Sequence, residues 1–478
     1  MISAMNARMG VAALRARGAA PSGWGLGRLA DTAMSTQPYS HLAPTMLPDM
    51  ARGPARSKLA IGGLSVNGLL LFLTSFLVAA SGFTRFRPEV MGLSLHPYLI
   101  PVALAFPFVM VMRLQEFPVR VLAALAVFSG MYFFSVFNGG DVLVSEIFKV
   151  ATGVVTTIVC ALLVRRRGDF VAGALGLSIA VAILAIRGLQ EEAAGGGVGD
   201  VMEGANKNSY SMFALPAILM AGYIALNLKT VPLVFKTILV GATLPTLVVI
   251  FMGGNRSGYL GAAFVGLMLF WDRRGKGLLL VAIMTAAVAF WIVKFGSTVV
   301  LDERIRQTVK GNSSDELRWE ILDTCWQIGL ENPVIGVSPQ VLPWEISRRV
   351  KMAHHGNVLD SHNVYGHIFA SSGMICFAAM IAVGWTMWNW RPRVGGKIGG
   401  KEDPLRDART LLRMMVALWV LRGFFSREIL YNPSFSIGLG LAIGLCMLAE
   451  VARRQTAVTT PKPPNRLPPN VAVPRGAT

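Results

Sequence analysis

The stretch SHNVYGHIFASSGMICFAAMIAVGWTMW, residues 361–388, begins as polar loop and continues as an apolar run long enough to cross a bilayer. Within hydrocarbon every backbone N–H and C=O must be bonded inside its own segment, which takes roughly 20 apolar residues of helix. Such runs recur along the chain. Its 478 residues are 53% hydrophobic and 15% charged, with a mean hydropathy of +0.54. That leaves too little charge to wet a globular surface. The sequence therefore predicts an all-α, polytopic membrane protein with about 12 transmembrane helices.

The expected spans are 59–82, 97–112, 119–137, 142–164, 169–186 and 209–226, followed by 231–252, 257–271, 278–293, 362–388, 411–425 and 433–449. Lys and Arg in short loops set orientation, because positive residues near helix ends stay in the cytoplasm. The loops RGPARSK, MRLQEFPVR, VRRRGD, WDRRGKG, RPRVGGKIGGKEDPLRDARTLLR and EVARRQ form one set; NGGD and LQEEAAGGGVGDVMEG belong to the other. This alternation places both ends inside. It also assigns most of the net charge of +19 to topology. Nucleic acid is not an expected partner, whereas the bilayer and its anionic lipids are.

Residues 1–57 carry Arg and small residues with no acidic side chain before Asp31 and no continuous apolar core of a signal peptide, so a disordered cytoplasmic tail is expected there. The Pro-rich segment 451–478 is expected to be a second tail. Between them lie helices 1–9 (58–293), a large external loop (294–361) and helices 10–12 (362–450). Cys160, Cys325, Cys376 and Cys446 offer neither a disulfide framework nor zinc spacing.

The polar residues that invite a chemical reading gather on the external side. A loop of about 68 residues, Lys294 to Ser361, far exceeds the usual connection. Inside it, Ser313 and Glu316 have capping-box spacing, and Leu317, Ile321, Cys325 and Ile328 repeat at helical intervals until Asn332-Pro333. An amphipathic helix follows, lying flat on the membrane or capping the bundle. Arg318 on its second turn is either a solvated cation or a substrate ligand. Arg256 opens a span directly after a glycine pair; it can snorkel to the interface, or its planar fork can take phosphate oxygens where the glycines let a ligand approach. Arg187 ends another span, and Asn206, Lys207 and Asn208 crowd the next helix entrance, where an anion or a simple cap would equally fit.

Four of the six histidines, His354, His355, His362 and His367, cluster before or within residues 361–388. Adjacent rings, or rings five apart, are poorly placed for one ion, so no metal is expected. A lone histidine at the bundle mouth suits proton transfer, which assigns His362 as a candidate general base and leaves His367 to packing. A glycosyl transferase on the outer leaflet needs a cationic clamp, a base and a groove open to lipid. A secondary transporter would instead show repeated halves with polar residues at the midplane. No clear internal repeat is visible, although a transporter or scaffold remains an alternative class.

RWEILDTCWQIGLENPVIGVSPQVL followed by SHNVYGHIFASSGMICF resembles the signature of the O-antigen ligase and polysaccharide polymerase superfamily, with its Arg-bearing helix, Gly-rich turn and His-Asn pair before a membrane helix. RSGYL (256–260) is similar to that family's Arg-x-x-x-Leu element, NKNSYSMFALP to its Asn-rich helix entrance and FTRFRPEVM to its Arg-Pro element. The likeness runs from about Phe83 to Ala449. Ser338 departs from it, standing where the family often has a second glycine, and Arg187 matches by position alone.

The resemblance implies a glycosyltransferase of the bacterial inner membrane, its site facing the periplasm, that uses an undecaprenyl-diphosphate-linked glycan without cofactor or divalent metal. The acceptor would be lipid A-core, a protein or a growing polysaccharide, which leaves ligase and polymerase both open. It implies His362 as the general base of an inverting transfer and Arg256, Arg187 and Arg318 as diphosphate ligands, with Asn363 and Asn208 in support.

Overall fold

A computed structural model describes residues 65–82, 89–90, 93–139, 144–193, 207–252, 256–272, 313–350, 359–390 and 404–459, with isolated positions at 275, 282 and 285. The expected tail 1–57, His354, His355 and the span 278–293 lie outside these residues, apart from two isolated positions in that span. Thirteen described helices follow in order: α1 (Val66–Phe76), α2 (Leu99–Arg113), α3 (Val119–Asn138), α4 (Val144–Leu163), α5 (Arg167–Ala193), α6 (Lys207–Asn227), α7 (Leu233–Met252), α8 (Arg256–Asp272), α9 (Ser313–Glu331), α10 (Leu342–Arg349), α11 (Val364–Trp388), α12 (Pro404–Gly423) and α13 (Pro433–Thr459). The described β-structure is one antiparallel pairing of Glu89–Val90 with Leu93–Ser94.

Every other expected span falls on one of these helices. Among the described residues, eight of them, α2 to α7, α11 and α13, are long and apolar enough to cross a membrane. The remainder fall short for identifiable reasons. α1 has 11 residues and α8 has 17, and α12 carries Arg406, Asp407, Arg409, Arg413 and Arg422. α13 continues past its expected end at Ala449 to Thr459, with Arg454 paired to the buried Glu450 at 2.9 Å.

α13 forms the middle of the bundle, packed against α4, α5, α6 and α12. Small residues permit the close approach. A Cβ on Gly440 would stand 2.6 Å from the Thr157 carbonyl oxygen, and one on Gly444 would stand 2.6 Å from that of Ala161. A small-xxx-small stripe on α13 thus lies directly on the α4 backbone, the packing that joins helices when lipid is as apolar as their side chains. α11 packs on α3, and α1 on α5.

At the end of the bundle with the basic loops, Asp169 caps α5 by accepting from the Arg165 and Arg166 amides (3.0 and 2.8 Å), and it also takes the Ser65 hydroxyl at the start of α1. The four cysteines are buried and free.

Candidate active site

The loop helix α9 has the predicted amphipathic face. Ile321, Cys325 and Ile328 are buried with Leu342, Ile346 and Val350 of α10 and Ala370 of α11, and Leu317 packs beside them. The helix therefore caps the bundle on α11. Its aromatic edge joins the same contact, with the Trp326 and Phe369 rings 4.9 Å apart. α10 was not foreseen; it fastens to the end of α9 through Arg349, which pairs with Glu331 at 2.7 Å and Glu345 at 3.3 Å.

The segment after α9 is built into a break in α11. Gly373 has φ +76°, a left-handed conformation inside an otherwise right-handed helix, so the carbonyls before it lack their usual helical donors. The turn 333–338 supplies replacements. Val337 donates to Ala370 O (3.0 Å) and Ser338 to Ser371 O (2.8 Å), while Met374 donates back to Pro333 O (2.7 Å). Ser135 of α3 adds a hydroxyl to Ser371 O at 2.5 Å, and Gln340 reaches Val136 O at 2.7 Å. Gly336 and Ser338 are themselves left-handed, at φ +76° and +78°. Ser338, which stands where the resemblance leads one to expect a second glycine, adopts the left-handed backbone that glycine favours.

His362 lies just ahead of α11 rather than within it. Its φ of +45° is left-handed, a strained backbone for a side chain of this size. Asn363 is the N-cap: its Oδ1 accepts from the Tyr365 and Gly366 amides (2.9 and 3.0 Å), and its Nδ2 donates to Phe424 O (3.1 Å) at the end of α12. On the other side of His362, Asp360 Oδ2 pairs with Arg427 Nε at 2.8 Å.

His362 as a residue is exposed, yet the surrounding protein strips enough water from the ring to hold its pKa below the ordinary 6.5. Asp360 opposes the shift; Arg318 and Arg427 reinforce it, and Glu428 opposes it. An imidazole in this field is neutral and able to accept a proton near pH 7. His367 is buried, with its Nδ1 3.0 Å from the Ser361 hydroxyl, which fits the packing role expected of it.

Arg318 is thus exposed on α9 within electrostatic reach of His362. Arg187 pairs with Glu191 at 2.7 Å one turn further along α5. Arg256 is the first residue of α8 and Asn208 the second of α6, and their side chains lie outside the described set. A contact between α12 and α6 links this entrance to His362: Arg422, fully buried, donates to Ser211 at 3.1 Å, two residues before the Phe424 carbonyl that Asn363 holds. Tyr365 strengthens the same junction, donating to Val420 O at 2.7 Å.

Arg422 and Arg427 were missed. The signal lay in WVLRGFFSREILYNPS, which puts two arginines at the end of a span where the loop charge pattern expects few positive residues. Arg427 sits in a polar cluster with Tyr431 and with Glu146, which is buried, accepts from Tyr132 at 3.3 Å and pairs with Lys149 at 2.8 Å. A narrow apolar groove of about 60 Å³ runs from this turn between α3, α4, α11, α12 and α13, lined by Gly153, Thr157, Met380, Trp419, Leu430 and Phe435 among others.

Residues 241–381 match the family model described as O-antigen ligase. That stretch holds Arg256, Arg318, His362 and Asn363, together with the turn seated in the break of α11. No curated protein sequence matches the chain. In this polytopic helical membrane protein the loop helix, the inserted turn and the His-Asn helix mouth all fall inside the stretch that is similar to the O-antigen ligase family.

Proposed function

We propose that this chain transfers a glycan from undecaprenyl diphosphate to an acceptor sugar or glycoconjugate, with inversion and with His362 as general base. The observation that carries the proposal is an exposed imidazole, biased toward its neutral form, at the helix mouth inside the O-antigen ligase domain. A ring nitrogen takes the proton of the acceptor hydroxyl. The acceptor oxygen then bonds to the anomeric carbon from the face opposite the diphosphate. The anomeric C–O bond breaks, and its electron pair leaves with undecaprenyl diphosphate.

Arg256, Arg187 and Arg318 are the cations proposed to neutralise that leaving group, where charge develops in the transition state. Arg187 would exchange its Glu191 partner for phosphate oxygen, a bidentate arrangement suited to guanidinium. Asn363 holds the start of α11, and Asn208 belongs to the neighbouring helix entrance. The loop charges support an orientation in which this end faces the periplasm of the inner membrane.

Purified protein incubated with a lipid-diphosphate glycan and candidate acceptors tests the proposal. A single added glycan on lipid A-core or protein identifies a ligase, and a ladder of repeats identifies a polymerase. Solute movement in proteoliposomes with no glycan transfer would replace it with a transporter.

A further inference from the structure

We propose that Asp360 and Arg427 are positioning residues for His362, their ion pair tying the loop that presents the imidazole to the turn after α12. The inference rests on His362 being the base of the proposed transfer, but its geometry stands by itself. A left-handed histidine persists only where its surroundings determine the backbone. Here both neighbours are anchored to one short segment. Asp360, two residues before, meets Arg427 at 2.8 Å; Asn363, one residue after, meets Phe424 O at 3.1 Å. The strained residue is bracketed by two attachments only three positions apart on the partner strand of chain.

The Arg427 end of this clamp is itself fixed. Its side chain is 21% exposed, and it begins the 3-10 turn Arg427–Leu430, whose cap is the buried Ser426 hydroxyl accepting from Glu428 N at 3.2 Å. Burial works against the guanidinium charge, but Tyr431, Asp360, Glu146 and Tyr132 outweigh it. A cation held this way differs from a solvated surface arginine, whose ion pairs are screened and mobile. The charged groups facing His362 are Asp360 on its own loop, Arg318 on α9 and Arg427 and Glu428 on the turn. Removing either member of the pair therefore alters both the placement of the ring and the field in which it titrates.

Two readouts separate positioning from mere stability. The first needs no substrate: full-length protein labelled in its histidine rings is titrated by NMR in nanodiscs, with the His362 signal assigned by its absence in His362→Gln. The midpoint falls in Asp360→Asn, which loses a favourable anion, and rises in Arg427→Gln, which loses a repelling cation; Arg427→Lys returns it toward wild type.

The second is kcat for glycan transfer at a pH where the ring is neutral in every variant. Asp360→Asn and Arg427→Gln each lower it about 10- to 100-fold, as small misplacements of a catalytic group do. The double variant is no slower than the worse single, because both substitutions break one contact. Unmoved midpoints, or losses that multiply in the double variant while all proteins elute and melt like wild type, overturn the pair. If His362→Ala keeps full transfer, the function proposed for the base fails, and the titrations still decide whether the pair positions the ring.

Discussion

The Ser338 amide donates to the Ser371 carbonyl across 2.8 Å, and through this bond the external loop becomes part of helix α11. The contact exists because Gly373 turns left-handed and Gly336 packs against the opened backbone. A Cβ on Gly336 would stand 2.2 Å from the Ser371 carbonyl carbon, and one on Gly373 2.2 Å from Val334 O. Gly336→Ala and Gly373→Ala should each lower the apparent Tm in nanodiscs and abolish transfer. The left-handed backbone alone costs roughly 1–2 kcal/mol with a side chain, before the clash. Gly130→Ala, where a Cβ meets nothing within 4 Å among the described residues, should leave both measurements near wild type.

Ser338→Gly should stabilise the protein. The serine carries the left-handed penalty of roughly 1–2 kcal/mol, and its buried hydroxyl has no hydrogen-bond partner among the described residues, costing about 1–3 kcal/mol more. Glycine returns only about 0.5–1 kcal/mol to the unfolded chain. A higher apparent Tm in thermal unfolding is the expected outcome, and a lower one would show that the hydroxyl is satisfied in the membrane.

Asn363→Ala removes the cap of α11 and its tie to Phe424 together. Loss of the cap costs about 0.5–2 kcal/mol. Asn363→Asp keeps the accepting oxygen and loses the donor to Phe424 O. Melting should therefore separate the variants, Asp recovering most of the cap, while transfer stays impaired in both because the histidine loop is no longer tied on that side.

The pH dependence follows from the sign of the His362 shift. A base must be neutral to act, and desolvation, reinforced by Arg318 and Arg427, holds its pKa below 6.5. The rate of transfer, followed as kcat/KM across pH, should be level above about pH 7 and fall on the acid side with a midpoint below 6.5. Arg318→Gln removes a repelling cation and should move that midpoint upward.

Short-range information was legible in the sequence. Hydropathy located the spans, and the three-four spacing of Leu317, Ile321, Cys325 and Ile328 gave the buried face of α9 before any neighbour was known. Asn332-Pro333 ended that helix where expected, at Glu331. What remained hidden depends on long-range partners. Nothing local in SHNVYG announces the left-handed His362, since its backbone is set by Arg427 and Phe424 more than 60 positions later. Arg422 and Arg427 were overlooked for the same reason: hydropathy reads them as the frayed end of a span, and only packing makes them interior. The break at Gly373 was equally silent, because a glycine within an apolar run carries no mark of its φ.

The most direct measurement is single-turnover transfer by purified wild type and His362→Ala, with bound lipid-diphosphate donor quantified in both before acceptor is added. His362→Ala should bind donor like wild type and transfer no detectable glycan. Transfer at the wild-type rate by His362→Ala, with donor bound equally, would contradict the account of this helix mouth as a catalytic base.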